Sequence, residues 1–75
     1  MPGQLPRVTA AEMLRKLGRD GWVLARQGRR HIVLRHPRKA GEVIVPRHMS
    51  QVLKPGTTRS ILNQARLTAD EFRKL

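Results

Sequence analysis

An α+β fold is predicted for this chain: helices against a three-stranded antiparallel sheet in the order α-β-β-β-α, with a short extra helix at the end. The first sign is Ala10, Met13, Leu14 and Leu17, which recur at the spacing of one helix face. The second is a set of three stretches of strand composition between Trp22 and Pro46, separated by turn residues. The third is a pair of helix entries, Lys54-Pro55-Gly56-Thr57 and Thr68-Ala69-Asp70-Glu71.

Taken in order, residues 1–8 carry Pro2, Gly3 and Pro6 and no apolar period, and so read as a flexible lead-in to a single domain over residues 9–75. Thr9 with Glu12 forms a capping box, and the first helix should cover about residues 10–18. Asp20-Gly21 is a turn signal, after which Trp22 to Gln27 has strand composition. Gly28 interrupts the pattern, so this strand and the next, Arg29 to His36, should form a hairpin that turns near Gln27 to Arg29. A loop from His36 to Gly41 leads to Val43-Ile44-Val45, which ends at Pro46 because proline cannot continue a central ladder. Pro46 to Leu53 is a connection. Pro55 suits the first turn of a second helix, whose apolar stripe is Ile61, Leu62 and Ala65 and which ends near Arg66. Thr68 and Glu71 repeat the capping box, with Leu67 and Phe72 as a hydrophobic staple for a short last helix. This is the order of the double-stranded-RNA-binding fold, in which helices cover one sheet face and the other stays in solvent.

Composition narrows the function. Sixteen Lys and Arg against five Asp and Glu give a formal net charge of +11 on 75 residues, a field that favours polyanionic partners. The chain has no cysteine, and its three histidines show no HxxxH or HxxE spacing on a predicted helix, so neither a metal nor another cofactor is expected. No apolar run approaches the roughly 20 residues that span a bilayer, and the start lacks a signal-peptide core. A cytoplasmic protein without membrane contact is expected. Trp22 and Phe72 are the aromatic residues, too few for a base-stacking surface, so phosphate and sugar are the better targets. Trp22 itself reads as a core anchor.

The second strand carries the chemistry. If Ile32 and Leu34 point into the core, period-2 geometry places His31, Val33 and Arg35 on the solvent face. Imidazole takes and gives protons near neutral pH, and the neighbouring guanidinium groups of Arg29, Arg30 and Arg35 suit a phosphodiester. Arg38, Lys39, Arg47 and Lys54 extend the same acid-poor run as RNA-binding candidates. Cleavage of RNA needs both a base and an acid, and His36 and His48 are the spare candidates beside His31. The alternative is a non-catalytic RNA- or DNA-binding module in which His31 is an ordinary surface residue.

Four stretches resemble a known family: Asp20-Gly21-Trp22, the run from Arg29 to Pro37, Val45-Pro46-Arg47-His48, and Leu53 to Ala65. In order and spacing they are similar to the HicA (YcfA-like) mRNA interferase toxins, over about residues 9–72. The resemblance implies a dsRNA-binding-like fold, metal-independent endoribonuclease activity on mRNA, and a HicB-like antitoxin that covers the active site. The family's catalytic histidine, in its Gly-Ser-His motif, falls on His31; Arg29 and Arg30 stand at the other two positions, with Gly28 one place earlier. Arg66 stands where the family commonly ends its second helix with glycine.

Overall fold

The computed structural model describes residues 5–75. Its elements are α1 (Ala10–Arg19), β1 (Val23–Gln27), β2 (His31–Arg35), β3 (Glu42–Pro46), α2 (Pro55–Ala65) and α3 (Ala69–Arg73). The strands form one antiparallel sheet in the order β1-β2-β3, which gives the dsRNA-binding-like layout read from the sequence. Among the described residues, no helix is long and apolar enough to cross a membrane.

The capping box at Thr9 is complete: Glu12 Oε1 accepts the Thr9 N–H at 2.8 Å, and Thr9 Oγ1 accepts the Glu12 N–H at 3.1 Å. Two further donors of the first turn, the N–H groups of Ala10 and Ala11, find the carbonyls of Gln51 and Met49 at 3.2 and 3.0 Å. The connection between β3 and α2 therefore lies against the start of α1. Val8 joins the same region, since its carbonyl accepts the Leu53 N–H at 2.9 Å and its side chain is buried in the core. Residues 1–4 of the lead-in lie outside the described residues.

The core sits between the helices and one face of β2 and β3. Ile32 and Leu34 from β2 and Val43 and Val45 from β3 pack with Met13, Leu17, Ile61, Leu62 and Phe72. Alternation then turns His31, Val33 and Arg35 to the other face, as the sequence predicts. Val33 is nonetheless only 8% exposed, because its cross-strand neighbours Arg26 and Ile44 stand on either side.

β1 departs from simple alternation, with all five residues exposed. It is an edge strand, and the helices make their main sheet contacts with β3. Between Leu24 and Arg26 the register shifts, leaving Ala25 without a partner. In an unbroken ladder Arg26 would oppose Ile32 and enter the helix-covered face; the bulge instead sets Arg26 opposite Val33, on the solvent face. At the other edge, Gln64 of α2 covers β3 by accepting the Ile44 N–H at 2.9 Å.

α2 starts at Pro55 as expected and ends at Arg66, whose φ of 57° and ψ of 42° are left-handed. The Leu67 N–H reaches back to the Leu62 carbonyl at 3.0 Å to close the cap. A side chain in that conformation costs about 1 kcal/mol that glycine would not incur. Thr68 and Glu71 repeat the capping box on α3, and Phe72 is fully buried with the Lys16 ammonium 4.9 Å from its ring centre.

The two boxes make stability depend on pH. Hydrogen bonds from the Thr9 backbone and side chain hold the Glu12 carboxyl below its ordinary value of 4.5, and those from Thr68 do the same for Glu71. A carboxylate whose folded pKa is depressed stabilises fully above its unfolded value, and the contribution disappears as pH falls through the folded one. The stability gap between wild type and a Thr9→Ala/Thr68→Ala variant should thus be widest at neutral pH and should narrow as acidification protonates the two carboxylates. Urea melts at successively lower pH measure it.

Candidate active site

β2 is shorter than the Arg29 to His36 strand expected, because reversing the chain takes Arg29 and Arg30, and His36 falls in the loop that follows. The Gly28 N–H bonds to the His31 carbonyl at 2.9 Å, which leaves Arg29 and Arg30 at the tip of the hairpin. Arg47 braces this tip. Its N–H donates to the Arg30 carbonyl at 2.9 Å and its Nη1 to the Gly28 carbonyl at 2.9 Å. Gln27, with its amide oxygen turned to the guanidinium, accepts from Arg47 Nε and Nη2 at 3.0 Å.

His31 begins β2 opposite Pro46 and is exposed. Two depressions meet at its ring. One, of about 410 Å³, runs along the hairpin past Arg26, Gly28, Arg29 and Arg30. The other, also about 410 Å³, lies between the sheet and α2, where Ile44 and Pro46 face Thr57, Ser60 and Gln64. Among the described residues the His31 imidazole makes no hydrogen bond, and Arg29 and Arg30 have no internal partner. No carboxylate or thiolate lines either depression, so the groups gathered here are imidazole, guanidinium, hydroxyl and amide.

The other cationic candidates divide into engaged and free. Arg35 stands at the far end of β2 and bonds Glu42 through Nε and Nη2 at 3.0 Å, while Arg26 grips the same carboxylate through both terminal nitrogens. These bonds, Arg26 first, hold the Glu42 carboxyl below its ordinary value. Arg35 is four residues from His31, about 13 Å along the strand, so the two do not converge on one phosphate. Lys39 is half-buried, with Nζ 2.7 Å from Asp20 Oδ2 and 3.0 Å from the Ala65 carbonyl at the end of α2. Arg38 and Lys54 are exposed, and among the described residues their side chains have no partner.

His36 is fully engaged. Its Nδ1 accepts the N–H groups of Arg38 and Lys39 at 3.0 and 3.1 Å, so the ring proton sits on Nε2, which donates to the Asp20 carbonyl at 2.6 Å. The ring stands edge-on to Trp22, 5.1 Å between centres, and the Trp22 Nε1–H bonds Asp20 Oδ2 at 3.2 Å. This knot joins the α1–β1 turn to the β2–β3 loop and leaves His36 no nitrogen for a substrate. His48 is exposed, its imidazole makes no hydrogen bond among the described residues, and it lines a depression of about 280 Å³ with Lys54.

Sequence reasoning missed Ser60 and Gln64, because a helix that packs beside β3 brings them to His31 from some 30 residues away; Thr57 had only the weak signal of a helix entry. The Asp20-Gly21-Trp22 turn was legible, though not its bond to His36. At Gly21 the backbone has φ +108°, and a Cβ there would lie 2.7 Å from His36 Nε2, a ring held on both sides. Gly21→Ala should therefore lower stability by about 1–3 kcal/mol, measurable as a drop in urea midpoint, whereas Gly18→Ala, with open space around it, should not.

A family model described as the HicA toxin of bacterial toxin-antitoxin matches residues 10–67. No curated protein matches the chain.

Proposed function

Since the chain belongs to the HicA toxin family of bacterial toxin–antitoxin systems, we propose that it is an endoribonuclease that cuts mRNA at the hairpin tip, with His31 as its acid or base. The observation that carries this reading is an imidazole next to two guanidinium groups, all three without a partner among the described residues, in depressions lined by no carboxylate.

The chemistry that suits these groups is attack by the RNA's own 2′-hydroxyl on the adjacent phosphorus. Imidazole moves a proton, and the guanidinium groups of Arg29 and Arg30 stabilise the extra negative charge on the phosphorane. The groove between the sheet and α2 offers the hydroxyls of Thr57 and Ser60 and the α2 amide groups to a neighbouring phosphate or sugar. A toxin of this family has an antitoxin as partner. In this reading the antitoxin is a HicB-like protein with an acidic surface that closes over His31, since charge complementarity to a +11 chain gives fast capture.

His31→Ala should slow cleavage by about 10²–10⁴-fold while RNA affinity stays within a few-fold. Wild-type activity should persist in EDTA, fail on DNA, and leave a 2′,3′-cyclic phosphate and a 5′-hydroxyl. End-group analysis of the cut RNA tests this reading: a 5′-phosphate, or wild-type cleavage by His31→Ala, would refute it.

The division of cations yields a separate expectation. Arg29→Ala/Arg30→Ala should flatten the log–log salt dependence of RNA binding by about two counterions. Lys39→Ala should leave that slope unchanged and lower the melting temperature instead, because its ammonium is bound to Asp20 and Ala65. Binding titrations at several salt concentrations, paired with melts, separate the two effects.

A further inference from the structure

Strand scission by a 2′-hydroxyl requires two proton transfers, and His31 alone accounts for one. We infer that His48 makes the other, so that the two imidazoles act as an acid–base pair across the end of β3; the inference rests on the ribonuclease reading above.

The ladder sets the spacing. Pro46 lies opposite His31, and the bond from the Arg47 N–H to the Arg30 carbonyl carries the pairing one residue further. His48 follows one residue past that bond, just beyond the end of β3, so its backbone stands beside the start of β2 where His31 lies. The depression that holds His48 and the groove that holds His31 share two wall residues, Pro46 and Thr57. A phosphodiester lying over that shared wall would have one imidazole on each side.

Of the three histidines, His36 has both ring nitrogens committed to the backbone, whereas among the described residues those of His31 and His48 make no hydrogen bond. The charged groups facing His48 are cations: Lys54 lines its depression, and Arg47 and Arg30 stand along the strand end, with the Arg47 guanidinium turned to Gly28. No carboxylate lines the depression to compete with a phosphate. The reaction balances on the two rings. One neutral imidazole takes the 2′-hydroxyl proton as the 2′-oxygen–phosphorus bond forms. The other, protonated, gives its proton to the 5′-oxygen as the phosphorus–5′-oxygen bond breaks. The products are a cyclic phosphate and a 5′-hydroxyl, and solvent resets the rings.

The test compares an oligoribonucleotide cut at a mapped position with its analogue bearing sulfur in place of the 5′-oxygen there. Sulfur leaves without needing a proton, so it bypasses the acid. His31→Ala and His48→Ala should each slow cleavage of the oxygen RNA by about 10²–10⁴-fold, and one of the two, and only one, should recover on the sulfur RNA. Each should also lose one limb of the wild type's bell-shaped pH profile, with melting curves unchanged because both side chains are exposed. His48→Gln should behave as His48→Ala. If His48→Ala cuts at the wild-type rate, or loses only affinity and keeps both limbs, the pair is refuted while the His31 assignment stands. A wild-type protein that cuts neither RNA overturns the ribonuclease reading and this one with it.

Discussion

Sixteen cationic side chains on 75 residues repel one another when the chain is compact, and five carboxylates are all that oppose them. Each of the five is used inside the molecule. Glu12 and Glu71 close the first turns of α1 and α3. Asp20 gathers Trp22 and Lys39, Glu42 holds Arg26 and Arg35, and Asp70 bonds Arg73 at 2.6 Å. None lies at the hairpin tip. The arrangement therefore relieves repulsion where elements meet and leaves the His31 end uniformly positive. An exposed ion pair stabilises little by itself; what matters here is where the neutralised cations are, since that decides which remain available to a polyanion.

This distribution explains why the sequence disclosed the fold more fully than the site. Helix boundaries follow from caps and stripes within a few residues of one another, such as Thr9 with Glu12 or Ala10 through Leu17. The outward face of His31 follows from Ile32 and Leu34 beside it. The state of a cation depends on partners far along the chain. Lys39 meets residues 19 and 26 positions away, and Arg26 meets Glu42 across 16. Arg29, Arg30, Arg35 and Lys39 look equivalent in an acid-poor run, yet two are free and two are bound, and no local pattern separates them. His36 is the same case: its place before Pro37 gave no hint that loop and turn backbones would claim both nitrogens.

Arg66 illustrates a smaller conflict between levels. The preceding stripe ends at Ala65, and the cap that follows demands a left-handed residue whichever side chain occupies it. The closing bond from Leu67 to Leu62 and the burial of Phe72 in α3 outweigh the local strain, so tertiary packing decides the conformation.

Every side chain of β1 is exposed, so exchanging one for another disturbs little packing. Which way each residue faces, however, is set by the extra position between Leu24 and Arg26. Inserting one further residue there, with the same single bulge, would turn Arg26 toward Ile32, detach it from Glu42, and draw Gln27 away from the brace at Arg47. This edge of the molecule is more exacting about how many residues it contains than about their identity.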